Sequence, residues 1–157
     1  MDLGFFTERE FSPENLFPEV ATEGMVIVAQ AVNSLTIDAG GVKVDLLRHG
    51  YPVLRVPEMV DGVRLLSLPD VSAMKLNAIA NRGAKKDFFD LARLLDEFSL
   101  EEMIGFFTRK YRRTDPFVVI RSLAWFDDAE AEPDPVSLAG LTWKEVKAKT
   151  REAVAGL

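Results

Sequence analysis

Residues 25–47 read MVIVAQAVNSLTIDAGGVKVDLL. Three pieces of this stretch, Met25 to Val32, Leu35 to Asp38 and Val42 to Leu47, are rich in Val, Ile and Leu, side chains that pack well on a pleated surface. Gly40-Gly41 lies between the last two and supplies the positive backbone torsions of a tight hairpin turn. Along Val42 to Leu47, alternation sends Val42, Val44 and Leu46 to one face and Lys43 and Asp45 to the other. The stretch predicts neighbouring strands of a sheet, with a carboxylate on the face turned away from the main core.

Upstream, Asp2 to Phe6 is a short apolar piece, and Ser12-Pro13-Glu14 is a helix start with proline at the first helical position, predicting a helix to about Val20. Downstream, Val63 to Ser67 is a candidate edge strand. From Asp70 the period changes from two to that of a helix. Asp70 is a candidate cap for a helix running to Asn81, which Gly83 interrupts or ends. Phe88, Leu91, Ala92 and Leu95 recur at spacings of three and four and form one apolar stripe. Ser99 with Glu102, and Thr142 with Glu145, are capping boxes for two later helices. Asp115-Pro116 starts another helix, through Val118 to Trp125, and the acidic, proline-bearing run from Asp127 to Pro135 reads as irregular. The expectation is an α+β fold in a single domain, 1–157, with residues 1–69 forming a mixed sheet and 70–157 a bundle of about four or five helices.

The composition narrows the chemistry. Of 157 residues, 48% are hydrophobic and 28% charged, which suits one globular domain. No apolar run reaches the length of a bilayer span, and Asp2 and Glu8 stand where a basic leader would, so the chain reads as a soluble cytoplasmic protein. Cysteine is absent and His49 is the sole histidine. Thiolate metal sites and multi-histidine clusters are therefore excluded, and chemistry must rest on carboxylates, lysine and arginine. A net charge of −6 argues against wholesale coating of nucleic acid. Two basic clusters, Arg82 with Lys85 and Lys86, and Arg109 with Lys110, Arg112 and Arg113, are either solvated helix surface or local phosphate contacts.

Three places carry candidate chemistry. Asp45 is either a solvent-facing residue of a half-exposed strand or a metal-bound aspartate. Asp2 alone is an ordinary terminal residue and matters only if the chain once continued upstream. The segment from Lys75 through Arg82, Lys86 and Asp87 to Asp90 is the most specific. Lys75 and Arg82 are seven apart and share a helix face, while Lys86 and Asp90 form an i, i+4 pair of opposite charge. Cations and free backbone N–H groups at a helix junction suit a triphosphate.

The run Arg82-Gly-Ala-Lys-Lys-Asp-Phe-Phe-Asp90-Leu resembles the signature segment of the AbiEii/AbiGii toxin family of nucleotidyltransferases. In the same order, Val42-Lys43-Val44-Asp45-Leu46 resembles the family's second carboxylate strand. Ser122-Leu-Ala-Trp-Phe-Asp127-Asp-Ala-Glu130, followed by Pro133, resembles its late motif, and Trp143-Lys-Glu-Val-Lys147 its closing helix. The resemblance covers nearly the whole chain. It implies a polymerase-β-like fold, Mg2+ held by carboxylates, a nucleoside triphosphate substrate, an RNA or protein acceptor and a cognate antitoxin. Carried over by position, Asp2 and Asp45 become catalytic metal ligands and Lys75 a phosphate binder. Arg82, Lys86, Asp87, Asp90 and Asp127 become supporting groups of the same site. Asp45 and Lys75 are then expected to face one cleft, within about 10 Å of each other, a distance that a bound metal-triphosphate spans.

The chain departs from the family in its first motif. An Asp-x-Asp pair is reduced to Asp2-Leu3-Gly4, and the glycine-rich turn and helix that precede it in the family are not present before Met1. The expectation is an N-terminally truncated relative with weak or no activity. It is either an impaired enzyme, a degenerate member acting by binding a partner, or a fragment without a biochemical role. Apolar residues such as Phe5, Phe6 or those of Met25 to Val32 would then lie uncovered, and a two-fold homodimer is expected to bury them, the alternative being a stable monomer whose remaining helices shift to cover the gap.

Overall fold

The computed structural model describes residues 2–113, 115–137 and 140–157, with Asp2 described in its backbone alone. The chain folds into two compact units, Met1–Tyr51 and Pro52–Leu157.

The first unit holds β1 (Asp2–Thr7), α1 (Pro13–Val20), β2 (Met25–Ala31), β3 (Ser34–Ala39) and β4 (Val42–Arg48). The strands form one sheet in the order β1-β4-β3-β2. β1 runs parallel to β4, and the other two pairings are antiparallel. The Gly40-Gly41 turn has φ of 65° and 87°, the left-handed torsions that side chains resist, and Asp38 Oδ1 accepts from the Gly41 N–H at 2.8 Å. The alternation holds: Phe5, Ile37, Val44 and Leu46 share a face and, with Val20 of α1 and Met25, line an apolar cleft of about 290 Å3. Among the described residues of this unit, Leu35 and Ile37 are the fully covered large apolar side chains. Phe5, Phe6, Val26, Ile27 and Val28 are exposed.

The second unit opens with β5 (Glu58–Val60) and β6 (Val63–Leu65), then α2 (Leu68–Arg82), α3 (Lys85–Leu94), α4 (Leu100–Tyr111), α5 (Phe117–Leu123), α6 (Asp127–Glu130) and α7 (Trp143–Ala155). The expected edge strand at Val63 joins a separate two-stranded hairpin with β5 rather than the main sheet. The switch to helices is as predicted, with no strand after Asp70 among the described residues. Among the described residues six helices follow rather than four or five, because Asp127–Glu130 of the stretch expected to be irregular forms a short helical turn. Both capping boxes are present, at Ser99–Glu102 and Thr142–Glu145. The cap of α2 differs from expectation. Ser67 is the N-cap, its hydroxyl accepting from the Asp70 N–H, and Asp70 stands three residues inside.

There Asp70 does something else. Its fully buried carboxylate accepts from Lys110 Nζ at 2.7 Å, from the Ser67 hydroxyl at 2.6 Å and from the N–H groups of Leu54 and Arg55 at 2.9 and 3.2 Å. Lys110 is equally buried and donates also to the Pro52 carbonyl at 3.1 Å. A buried ion pair persists only where its remaining hydrogen-bonding capacity is met, and here two backbone amides, a hydroxyl and a carbonyl meet it. The result clamps residues 52–55 onto α2 and α4. The apolar core of the unit surrounds α2, α3 and α4 and includes Leu76, Phe88, Leu91, Met103, Leu123 and Val146. Trp143 of α7 packs edge-on against Phe88 and Phe126.

Candidate active site

The carboxylate strand of the first unit is built by register. In the parallel β1–β4 ladder Asp2 lies beside Lys43 and Gly4 beside Asp45, and in the β4–β3 ladder Thr36 lies beside Asp45. Residues directly opposite in a ladder share a face, so Gly4, Asp45 and Thr36 stand in one row across three strands. The Asp45 carboxylate accepts from the Thr36 hydroxyl at 2.7 Å and pairs with Lys43 Nζ at 3.0 Å. The Asp2 side chain lies outside the described residues. A Cβ placed on Gly4 would meet ring carbons of Phe6 at 3.4 Å, ordinary van der Waals contact, so the row has room for a side chain at position 4 but carries none.

The basic segment belongs to the second unit and is held by one buried acid. Lys75 and Arg82 share a face of α2, as their spacing predicts, and both reach Asp87 of α3. Arg82 donates to it through Nε at 2.8 Å and Nη2 at 3.0 Å, and Lys75 through Nζ at 3.2 Å. Lys75 also pairs with Asp90 at 2.5 Å. Burial alone would raise the Asp87 carboxyl, but the hydrogen bonds and charges of Arg82 and Lys75 outweigh it and hold the group below its usual range. Burial likewise tends to lower Lys75, and the bonds and charges of Asp90 and Asp87 outweigh it, holding the ammonium above its usual range. Asp87 thus fixes both cations in place while Asp90 is half-exposed beside them.

Gly83 ends α2 in the left-handed conformation with φ 58°, and α3 starts after an extended Ala84. The first amide of α3, expected to be open to a phosphate, is taken: Lys85 N–H donates to Glu132 Oε2 at 2.7 Å. Lys85 itself is buried rather than a surface cation. Its ammonium pairs with Asp134 at 3.0 Å, bonds the Glu132 carbonyl and lies 5.3 Å from the Trp143 ring. Lys86 and Asp127 are exposed on the first turns of α3 and α6. Asp128, not Asp127, lines the cavity at the end of α2, together with Arg121 and Trp125. These three residues are spaced i, i+4, i+7, a pattern legible in the chain but not singled out from it.

The described residues include no group of three or more Asp, Glu or His side chains that could hold a metal ion. Among the described side chains this row offers one carboxylate, Asp45, already engaged by Lys43 and Thr36, whereas a two-ion phosphoryl-transfer centre needs several anionic oxygens. No helix among the described residues is long and apolar enough to cross a membrane.

Comparison with known proteins agrees with this layout. The family described as "Nucleotidyl transferase AbiEii toxin, Type IV TA system" matches residues 6–154. A protein of Aquifex aeolicus (strain VF5), described as uncharacterized, is 32% identical over 138 residues, covering 83% of this chain and 67% of the relative. No solved structure matches. With the carboxylate strand at Asp45, the Lys75–Asp90 segment and the late motif all inside the matched range, the chain belongs to the AbiEii nucleotidyltransferase toxin family of type IV toxin–antitoxin systems.

Proposed function

We propose that this chain forms a single nucleotidyltransferase-like domain that binds a nucleoside triphosphate and transfers a nucleotide to an RNA or protein acceptor, at a rate held low by the glycine in its carboxylate row. The observation that carries this reading is the β1–β4 register, which sets Gly4 directly beside Asp45. In the proposal Lys75 and Arg82 meet the phosphates, positioned by Asp87, with Asp90 and Lys86 at the margin of the site and Asp127 as a supporting group. Asp2 and Asp45 are the acids available for the divalent ion typical of the family. An oxygen donor missing from such a centre costs orders of magnitude in rate, because the charge developing on the phosphoryl group is then poorly neutralised. The toxin family supports a cognate antitoxin as partner, and the exposed apolar side chains of β1 and β2 support association of two copies.

Gly4→Asp tests the reading. The substitution fits sterically and sets two carboxylates side by side, an arrangement that is unfavourable until a cation joins them. The expected result is a rise of about tenfold or more in label transferred from a nucleoside triphosphate. A Mg2+-dependent rise in melting temperature, larger in the variant than in the wild type, should accompany it. Wild-type transfer that is already fast and unchanged by Gly4→Asp would overturn the proposal. The second reading, a degenerate member that acts through binding, is favoured by the contacts Asp45 makes with Lys43 and Thr36. Transfer still absent in Gly4→Asp, with the variant folded and binding Mg2+, selects it.

A further inference from the structure

The end of α2 and the α5–α6 segment enclose a cavity of about 620 Å3 whose lining includes Arg82, Gly83, Arg121, Trp125 and Asp128. Local folding explains how it arises. Val119, Leu123 and Phe126 are buried and anchor the segment. Between α5 and α6 the chain makes tight turns, Ala124 N–H to the Arg121 carbonyl and Trp125 N–H to the Ser122 carbonyl, each at 3.2 Å. Arg121, Trp125 and Asp128 consequently project from the side opposite the anchors. Gly83 forms the facing wall, where a Cβ would stand 3.8 Å from Asp128 Oδ2.

Three features of this cavity are unexplained by stability. Trp125 leaves 55% of its surface in water, whereas Trp143 leaves 9%. Arg121 has no ion-pair partner among the described residues, and the Asp128 carboxylate accepts no hydrogen bond among them. An exposed indole flanked by an uncommitted guanidinium and an uncommitted carboxylate matches the three parts of a nucleotide: a flat base, a phosphate and a base edge bearing an amine. The volume lies within the usual range of small-ligand sites.

We infer that this cavity binds one nucleotide unit, its base stacked on Trp125, its phosphate on Arg121 and its exocyclic amine donating to Asp128. The unit comes either from a free nucleoside triphosphate or from a single-stranded RNA end, and both present the same chemistry. The inference does not depend on whether Gly4 limits transfer, since none of its residues belongs to the carboxylate row.

Trp125 also supplies the test, because the chain has two tryptophans and the other is buried. Tryptophan emission is titrated separately with CTP and with a short single-stranded oligocytidylate, and binding of a 5′-labelled oligocytidylate is followed by anisotropy. Saturable quenching by either probe is expected. Trp125→Ala and Arg121→Gln should each weaken binding about tenfold, with the circular dichroism spectrum unchanged. Quenching by CTP alone assigns the site to the free nucleotide, and quenching by the oligonucleotide alone assigns it to the strand. Absence of quenching by both probes, or binding that neither substitution weakens, would overturn the inference.

Discussion

Replacing Lys110 by methionine is expected to lower the unfolding free energy by about 3–5 kcal/mol, a large share of what holds a domain of this size together. Methionine fills much of the lysine's volume, so the loss is electrostatic: the Asp70 carboxylate stays buried with its Ser67 and backbone donors but without its counter-charge. Asp70→Leu should cost at least as much, since it strands the amides of Leu54 and Arg55 together with the ammonium. The double replacement Asp70→Leu, Lys110→Met should be less harmful than the sum of the two, because no lone charge remains. Urea unfolding at constant slope measures all three. A loss below about 1 kcal/mol for Lys110→Met would mean that the pair is solvated. Acid sharpens the same test. Burial pushes the Asp70 carboxyl up, but Lys110, Ser67 and the Leu54 and Arg55 amides together pull it below its ordinary value. A depressed carboxyl stabilises the fold above its unfolded pKa of about 4 and loses that contribution as pH falls through the folded value. The wild type should therefore lose stability in the window below about pH 4 more steeply than Lys110→Met.

The second large effect is expected at Asp87. Asp87→Asn removes the buried charge that orients Lys75 and Arg82 and should cost about 2–4 kcal/mol, somewhat less than the Lys110 pair because Arg82 is 55% exposed and can turn to water. Asp90→Asn, on a side chain 51% exposed, should cost under about 1 kcal/mol. The contrast is the useful readout. If the two substitutions were equally mild, Asp87 would not be the anchor of the segment. The proposed phosphate contacts should follow the same order, with nucleotide affinity falling about tenfold or more in Asp87→Asn and little in Asp90→Asn. The pH dependence has two edges. The lowered Asp87 carboxyl contributes above its unfolded pKa near 4 and less as acid protonates it. The raised Lys75 ammonium contributes fully below its unfolded pKa near 10 and is lost as pH rises through the folded value.

What the chain alone made legible follows from how local each signal is. Alternation along Val42–Leu47 and the Gly40-Gly41 turn are decided within a few residues, and the sheet follows them. The capping boxes at Ser99 and Thr142 are equally local. The buried ionic pairs were not legible in the same way, because Asp70 meets Lys110 across forty positions of sequence. Lys110 reads as one of four basic residues at a helix end, yet Met103, Phe107 and Lys110 fall at i, i+4, i+7, which places the lysine on the apolar stripe of α4. Asp87 likewise shares a stripe with Leu91 and Leu94, and Lys85 with Phe88, Phe89 and Ala92. A charge on the apolar face of an amphipathic helix signals a buried partner, and the basic composition of these clusters masks it. In the candidate site, the Lys75–Arg82 face and the Asp45 face were readable from periodicity. The row formed by Gly4, Asp45 and Thr36 was not, since it depends on which strands pair and in what register.

The apolar interior is distributed unevenly between the two units: every member of the large buried cluster falls between Ala73 and Val146, while among the described residues the sheet of the first unit fully covers Leu35 and Ile37. Resistance of backbone amides to exchange with deuterated water depends on how much structure must open to expose them. The amides of α2, α3 and α4 should exchange only when the second unit unfolds as a whole. Those of β2, an edge strand with a register shift between Ile27 and Ala29 and an exposed outer surface, should exchange orders of magnitude sooner. The sheet whose β1–β4 pairing sets Asp45 beside Gly4 thus carries its least protected amides at the opposite edge, in β2.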